Sequence, residues 1–183
     1  MNKFEKYFEE CGTDKYIHGY HNFYNKILEN EQIDSVLEIG LYMGSSIKAW
    51  KKIWPDALVE GVDLERLYDK ELENEFNIYN IDSQDPEQTS KINKYYDIII
   101  DDAAHHYKYQ AETFKNFYDK AKKFYVIEDV LGKWGLYNLL GLLPEGIMKK
   151  AKLFESRGPT RDFKFSDYVE PKAHFRFLII DKR

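Results

Sequence analysis

The sequence predicts an α/β protein: a Rossmann-like, doubly wound sheet of about seven strands, helices on both faces, the last strand antiparallel. Three observations predict it. Short apolar runs such as "SVLEIG", "ALVEGVDL" and "YYDIIID" alternate with segments of helical period. Such alternation implies parallel strands joined by crossover helices and covered on both faces. The final two runs, "AKLFES" and "HFRFLIID", have no helical segment between them, which suits an antiparallel ending.

The elements follow in order. Phe4, Tyr7, Phe8 and Cys11 share one helical face, and Gly12 stops that helix. "CGTDKYIHGY" reads as a loop. A second helix carries Phe23, Tyr24, Ile27 and Leu28. The first strand, "SVLEIG", ends at Gly40, and "GSSIKAWKKIW" is the next helix, closed by Pro55. The second strand precedes "RLYDKELEN", a poor helix. "FNIYNID" is the third strand, and "PEQTSKINK" is a short helix opened by Pro86. After the fourth strand, "YYDIIID", the spacing of Tyr107, Ala111, Phe114, Tyr118 and Ala121 predicts a helix. "KFYVIEDV" is the fifth strand. The segment Trp134–Lys150 is apolar but broken by Gly135, Gly141, Pro144 and Gly146, and the last two strands follow. Residues 157–173 read as a loop-like connection.

No low-complexity stretch, repeat or linker divides the 183 residues, which read as a single domain over 1–183. Within it, residues 1–33 form N-terminal helices and a lid-like loop, and 34–183 form the α/β core. A net charge of −5 disfavours a nucleic-acid binder. Cys11 has no disulfide partner in the chain, and neither a membrane span nor a signal-peptide core is present, so a cytoplasmic protein is expected.

Polar residues gather at one edge. The five leading strands end in Glu38, Asp63, Asp82, the pair Asp101 and Asp102, and the pair Glu128 and Asp129. One acid after a strand is ordinarily a helix cap. Five in succession, two of them doubled, would repel one another at a buried edge unless a cation joined them. The turn "EIGLYMGSS" presents Gly40 and Gly44 before a helix N-terminus. Tyr42 stands where a dinucleotide fingerprint would have its second glycine, which disfavours a pyrophosphate. Asp63 is placed for a ribose diol and Asp82 for an adenine. An adenosine ligand without pyrophosphate, such as S-adenosylmethionine, fits.

The pieces "GTDKYIHGYHNFY", "VLEIGLYMGSS", "GVDL", "IDSQDP", "IIIDDAAHH" and "YVIEDV" resemble class I S-adenosylmethionine-dependent methyltransferases. Within that class they are most similar to the metal-dependent macrocin- and mycinamicin-type sugar O-methyltransferases and their cephalosporin-hydroxylase-like relatives. The resemblance runs from Gly12 to Val130. It implies a divalent metal, Mg²⁺ in the first instance, on Asp102, Glu128 and Asp129, with His105 as the base. It also implies cofactor contacts from Thr13, Glu38, Gly40, Tyr42, Gly44, Ser45, Asp63, Asp82 and Asp101, and an acceptor site touched by His18 and Tyr20. Two departures stand out: Ala103 and Ala104 replace the usual Gly-Ser, and the chain is short for the family.

The resulting expectation is O-methylation of a sugar or another vicinal-hydroxyl small molecule, with no nucleic-acid or membrane partner and self-association left open. A metal hydrolase built on the same acids would not need the Glu38 turn or Asp63. A non-catalytic cofactor-binding subunit would not need intact metal ligands and a base.

Overall fold

The computed structural model describes residues 1–147, 149–157 and 174–183. Its sheet has seven strands: β1 Ser35–Ile39, β2 Leu58–Asp63, β3 Asn77–Asn80, β4 Tyr96–Asp101, β5 Ala121–Ile127, β6 Ala151–Arg157 and β7 His174–Asp181. Their order is β3-β2-β1-β4-β5-β7-β6. The first five run parallel, and β7 lies antiparallel to both β5 and β6. The antiparallel last strand agrees with the sequence expectation. Most of the expected loop-like connection before it falls outside the described residues.

The helices are α1 Lys3–Cys11, α2 Asp14–Ile17, α3 His21–Leu28, α4 Ser45–Ile53, α5 Leu72–Glu75, α6 Pro86–Thr89, α7 Tyr107–Phe117 and α8 Gly132–Leu142. Strand alternation divides the core into two layers. Val36, Ile98 and Ile100 pack with Phe4, Phe8, Tyr24 and Trp50 from α1, α3 and α4. Leu37, Ile99 and Tyr125 pack with Phe114, Phe117 and Leu139 from α7 and α8. On the first side Phe8 and Tyr24 set their rings against Trp50 at 5.0 and 4.9 Å between centroids, so the N-terminal helices are bound into the domain.

Three local expectations are corrected. The segment read as a loop after Gly12 winds one helical turn, α2, because Thr13 caps it through its side-chain oxygen on the Lys15 N–H. The helix expected to reach Ala121 stops at Phe117; a 3₁₀ turn over Tyr118–Lys120 follows, and Ala121 already opens β5. The glycine-broken apolar segment is helical as far as Leu142, in α8, and a 3₁₀ turn over Glu145–Ile147 follows. A Cβ at Gly135 or Gly141 would meet nothing within 4 Å, so neither glycine serves close packing.

Candidate active site

The sheet reverses direction of winding between β1 and β4, and a crevice opens there beyond the strand ends. Gly40 lies at its base with φ 88°, and a side chain there would collide with the Asp102 carbonyl oxygen. Glycine therefore meets two demands at once, the left-handed backbone and the approach of a neighbouring strand. A cleft of about 320 Å³ runs from this point across the ends of β1 to β4. Gly40, Tyr42, Asp63, Asp82, Asp102 and Ala103 line it.

Asp63 shapes one wall. Its Oδ2 accepts the Leu41 N–H at 2.6 Å and the Tyr42 N–H at 3.2 Å, and its Oδ1 accepts the Glu65 N–H at 2.8 Å. Tyr42 is held with φ 48° and its side chain is exposed. Asp82 accepts the Gln84 N–H at 2.9 Å through Oδ1. Gly44 caps α4 with φ 77°, and Ser45 begins that helix. Of the expected cofactor residues, Gly40, Tyr42, Asp63 and Asp82 thus face the cleft. Thr13, Glu38 and Asp101 do not line it and are buried. Burial pushes the Glu38 carboxyl up to about 7, and neither of its oxygens accepts a bond of ordinary geometry among the described residues. Burial likewise raises Asp101 to about 8, against a hydrogen bond from the Ala103 N–H.

Beside the cleft lies a cluster of acids and one imidazole. Asp102 Oδ1 is 3.4 Å from His105 Nε2, and Asp129 Oδ2 is 3.6 Å from the same nitrogen. One ligand-type atom from each of Asp102, His105 and Asp129 lies within 4.8 Å of the others. Two carboxylates with free oxygens about one point suit a hard divalent cation, and the imidazole stands beside them. Asp129 has φ 49°, a left-handed backbone uncommon outside glycine and found disproportionately at functional sites. His105 is 40% exposed on its side chain, so it can reach a ligand. The Asp102 hydrogen bond raises its pKa above the usual imidazole range, although burial opposes this. His106, its neighbour, caps α7 with Nδ1 on the Lys108 N–H at 3.4 Å.

The far side of the cluster is held by the N-terminal segment. Lys15 Nζ is 2.5 Å from Asp102 Oδ2 and 2.5 Å from Glu128 Oε2. Tyr24 donates its hydroxyl to Glu128 Oε1, and Tyr20 donates to Asp129 Oδ1. Both Glu128 oxygens are therefore bonded within the protein, and Glu128 stands behind the Asp102–His105–Asp129 group instead of within it. Tyr20 is 1% exposed, which places it beneath the cluster and not on an acceptor-facing surface. His18 ends α2, its ring 5.6 Å from that of Tyr20. Burial works to raise Asp102, but Lys15 and His105 outweigh it and hold the carboxyl down to about 2. Burial and the Asp102 charge work against the Glu128 anion, while Lys15 and the Tyr24 hydroxyl, bonded to its two oxygens, favour it.

Lys15 and Tyr24 were not singled out as site residues from the sequence. Lys15 lies in the "GTDK" piece, where a lysine in a polar stretch reads as solvated; Tyr24 sits on an apolar helical face and reads as core. Their hydroxyl and ammonium groups become visible as functional only when α2 and α3 are set against the strand ends.

No protein-family profile matches the sequence, and no curated protein does either. Solved structures do. MycE methyltransferase from the mycinamycin biosynthetic pathway, in complex with Mg and SAH, superposes with a TM-score of 0.68 at 21% identity, over 98% of this chain and 54% of that one. A second MycE structure, which also holds mycinamycin VI, gives the same TM-score and identity. An O-methyltransferase from Bacillus cereus in complex with SAH gives 0.57 at 11% identity, over 98% of this chain and 90% of that one. The chain spans about half the length of the MycE chains it matches. With its strand order, its crevice between β1 and β4 and these neighbours, the chain has the fold of the class I S-adenosylmethionine-dependent O-methyltransferases.

Proposed function

We propose that this chain is an S-adenosylmethionine-dependent O-methyltransferase. Its acceptor is a hydroxyl of a small molecule, a sugar or another vicinal diol. The observation that carries the reading is the position of Asp102, which lines the cofactor-type cleft and also belongs to the Asp102–His105–Asp129 cluster. A methyl donor in the cleft would lie against an acceptor at the cluster, with the short approach that group transfer requires. The neighbours named for Mg, SAH and mycinamycin VI support the same arrangement.

In this reading Gly40, Asp63 and Asp82 hold the nucleoside end of the cofactor. Buried Glu38, behind the Gly40 turn, has Lys15 Nζ 3.7 Å from its Oε1, and a cofactor amino group reaching it would share the carboxylate with that ammonium. Asp102 and Asp129 would hold a divalent cation, and Glu128 would join them if its bonds to Lys15 and Tyr24 rearranged. Such a cation supplies Lewis-acid polarisation of the acceptor oxygen. His105 Nε2 is placed to take the proton of an acceptor hydroxyl, and a bound sulfonium would supply the methyl group, its thioether leaving with the C–S electron pair.

A metal hydrolase is the weaker reading, because it gives the adjoining cleft and Asp63 no task. A cytoplasmic location is supported by the unpaired Cys11, and no helix among the described residues is long and apolar enough to cross a membrane. The test is calorimetry with S-adenosylmethionine, with and without Mg²⁺, followed by methyl transfer to a panel of sugars. Saturable cofactor binding and metal-stimulated methylation of a vicinal diol are expected. Metal-dependent hydrolysis without cofactor binding would overturn the reading.

A further inference from the structure

Lys15 is a lysine with almost no access to solvent, being 1% exposed. Lysines are almost never fully buried unless paired. Besides Asp102 and Glu128 at 2.5 Å, its Nζ approaches Glu38 Oε1 at 3.7 Å. An ammonium has three N–H donors, and here three carboxylates surround it. They come from the ends of β1, β4 and β5, so Lys15 sits where three neighbouring strands converge. Three carboxylates within reach of one nitrogen are the surroundings of an ammonium, not of a neutral amine.

The bonding pattern divides the acids into two faces. Asp102 gives Oδ2 to Lys15 and keeps Oδ1 toward His105. Glu128 gives both oxygens to the N-terminal segment. Asp129 gives Oδ1 to Tyr20 and keeps Oδ2 toward His105. Lys15 therefore meets the acids from behind, and the oxygens left open face the cleft side.

We infer that Lys15 is a resident counter-cation: it neutralises the Asp102–Glu128 edge so that the domain folds without a divalent ion, and it weakens that ion's binding on the open Asp102–Asp129 face. The inference rests on the divalent-cation reading above. The physical basis is charge count. Buried acids that lose their only internal cation must gain protons, separate, or recruit another cation. A positive charge this close to a metal position also opposes the metal, and a water-screened Coulomb interaction at such range is worth about a tenfold change in affinity or more.

The sign of the effect separates this role from packing. Lys15→Met keeps the length of the side chain and removes the charge; Lys15→Arg keeps the charge. Mn²⁺ affinity is read from the electron paramagnetic resonance signal of the free ion, and thermal melts are run in EDTA and in Mn²⁺. Lys15→Met is expected to melt lower than wild type in EDTA, to recover in Mn²⁺, and to bind Mn²⁺ about tenfold more tightly or better. Lys15→Arg should show no such gain in Mn²⁺ affinity. Weaker Mn²⁺ binding by Lys15→Met, with no recovery of the melt, overturns the inference. If both proteins bind Mn²⁺ alike, the counter-cation role fails and the divalent-cation reading stands. If only Lys15→Met binds Mn²⁺, the divalent-cation reading of the wild-type site fails and the counter-cation role stands. Should Lys15→Met not fold in either condition, the double variant Lys15→Met/Glu128→Gln decides. Removing an anion with the cation restores folding if charge compensation is the role, and leaves the chain unfolded if packing is.

Discussion

Asp63 Oδ2 and the backbone N–H of Leu41 lie 2.6 Å apart, so the acid that ends one strand fixes the turn that follows its neighbour. The same oxygen also accepts the Tyr42 N–H, and Tyr42 is the residue of that turn with a left-handed backbone. The acid proposed to hold the ribose and the acid that shapes the loop are one side chain. Asp63→Ala should therefore weaken S-adenosylmethionine binding by at least the roughly 1.5–3 kcal/mol of a hydrogen bond to a charged group. Calorimetry is the check, and unchanged affinity would refute the assignment of this cleft to the nucleoside.

His105 and His106 are adjacent but differently placed, one beside Asp102 and Asp129 and the other capping α7. Loss of a general base costs about 10²–10⁴-fold in rate, so His105→Ala should lose that much kcat while keeping cofactor affinity. His106→Ala removes a helix cap and should cost about 0.5–2 kcal/mol of stability with a far smaller change in rate. Side-by-side rates and melts with a true acceptor distinguish them. The reverse pattern would move the base by one residue.

The pH dependence of the reaction follows from the same imidazole. Asp102 raises the His105 pKa above its ordinary 6.5, and a base must be unprotonated. In enzyme free of divalent ion, kcat/KM should therefore climb as pH rises through a value above 6.5, and bound metal should shift the climb to lower pH by repelling the imidazolium. An identical profile with and without Mg²⁺ would separate His105 from the metal position.

Tyr20 is a positioning residue in this geometry, since it touches Asp129 and not the cleft. Tyr20→Phe removes one hydroxyl from a packed ring and leaves the Asp129 oxygen without its donor. Loss of such an outer partner typically weakens metal binding by about 10–100-fold. Mn²⁺ titration of the variant tests this; a large effect on cofactor affinity instead would place Tyr20 elsewhere.

Away from the site, Glu60 is buried in β2 and accepts hydrogen bonds from Asn77 Nδ2, Lys94 Nζ and Tyr96 OH at 2.6–2.7 Å. Burial would raise its pKa, but these donors outweigh it and hold the carboxyl below its ordinary 4.5. A lowered folded-state pKa contributes stability that is present above 4.5 and lost as pH falls through the folded value. Glu60→Gln should thus destabilise the domain by about 1.5–3 kcal/mol at neutral pH. The deficit should shrink below pH 4.5 as wild-type Glu60 protonates. Denaturant melts at the two pH values decide it.

Much of this was legible in the sequence because strand ends are marked twice, by an apolar run that stops and by an acid that follows. Asp63, Asp82, Asp102 and Asp129 come to one edge for that reason. What was not legible arises from contacts across long sequence separations. Lys15 and Asp102 are 87 positions apart, and nothing local in "GTDK" says that its ammonium will be enclosed. Tyr20 and Tyr24 present the ring to the core and the hydroxyl to an acid, and a periodicity argument registers only the ring. The single turn α2 is too short to show a period. Asp101 illustrates a further limit: it is next to Asp102, but pleating sends the two to different surroundings, one toward Tyr125 and the other toward the cleft.

Strand β7 follows β5 and β6 in the chain yet lies between them, and its Arg176 carbonyl oxygen accepts the Val130 N–H at 2.9 Å. Val130 is the residue after Asp129. In vectorial synthesis the ribosome therefore releases the cleft-forming strands first, while the strand that pins the Asp129 turn arrives last. Until it docks, β5 presents an open ladder of N–H and C=O groups able to recruit a strand from another nascent chain. The strands whose ends wall the cleft are thus all made before the strand that pins the Asp129 turn. A translation pause ahead of β7 would trap that state, and its hazard is strand exchange between chains at β5.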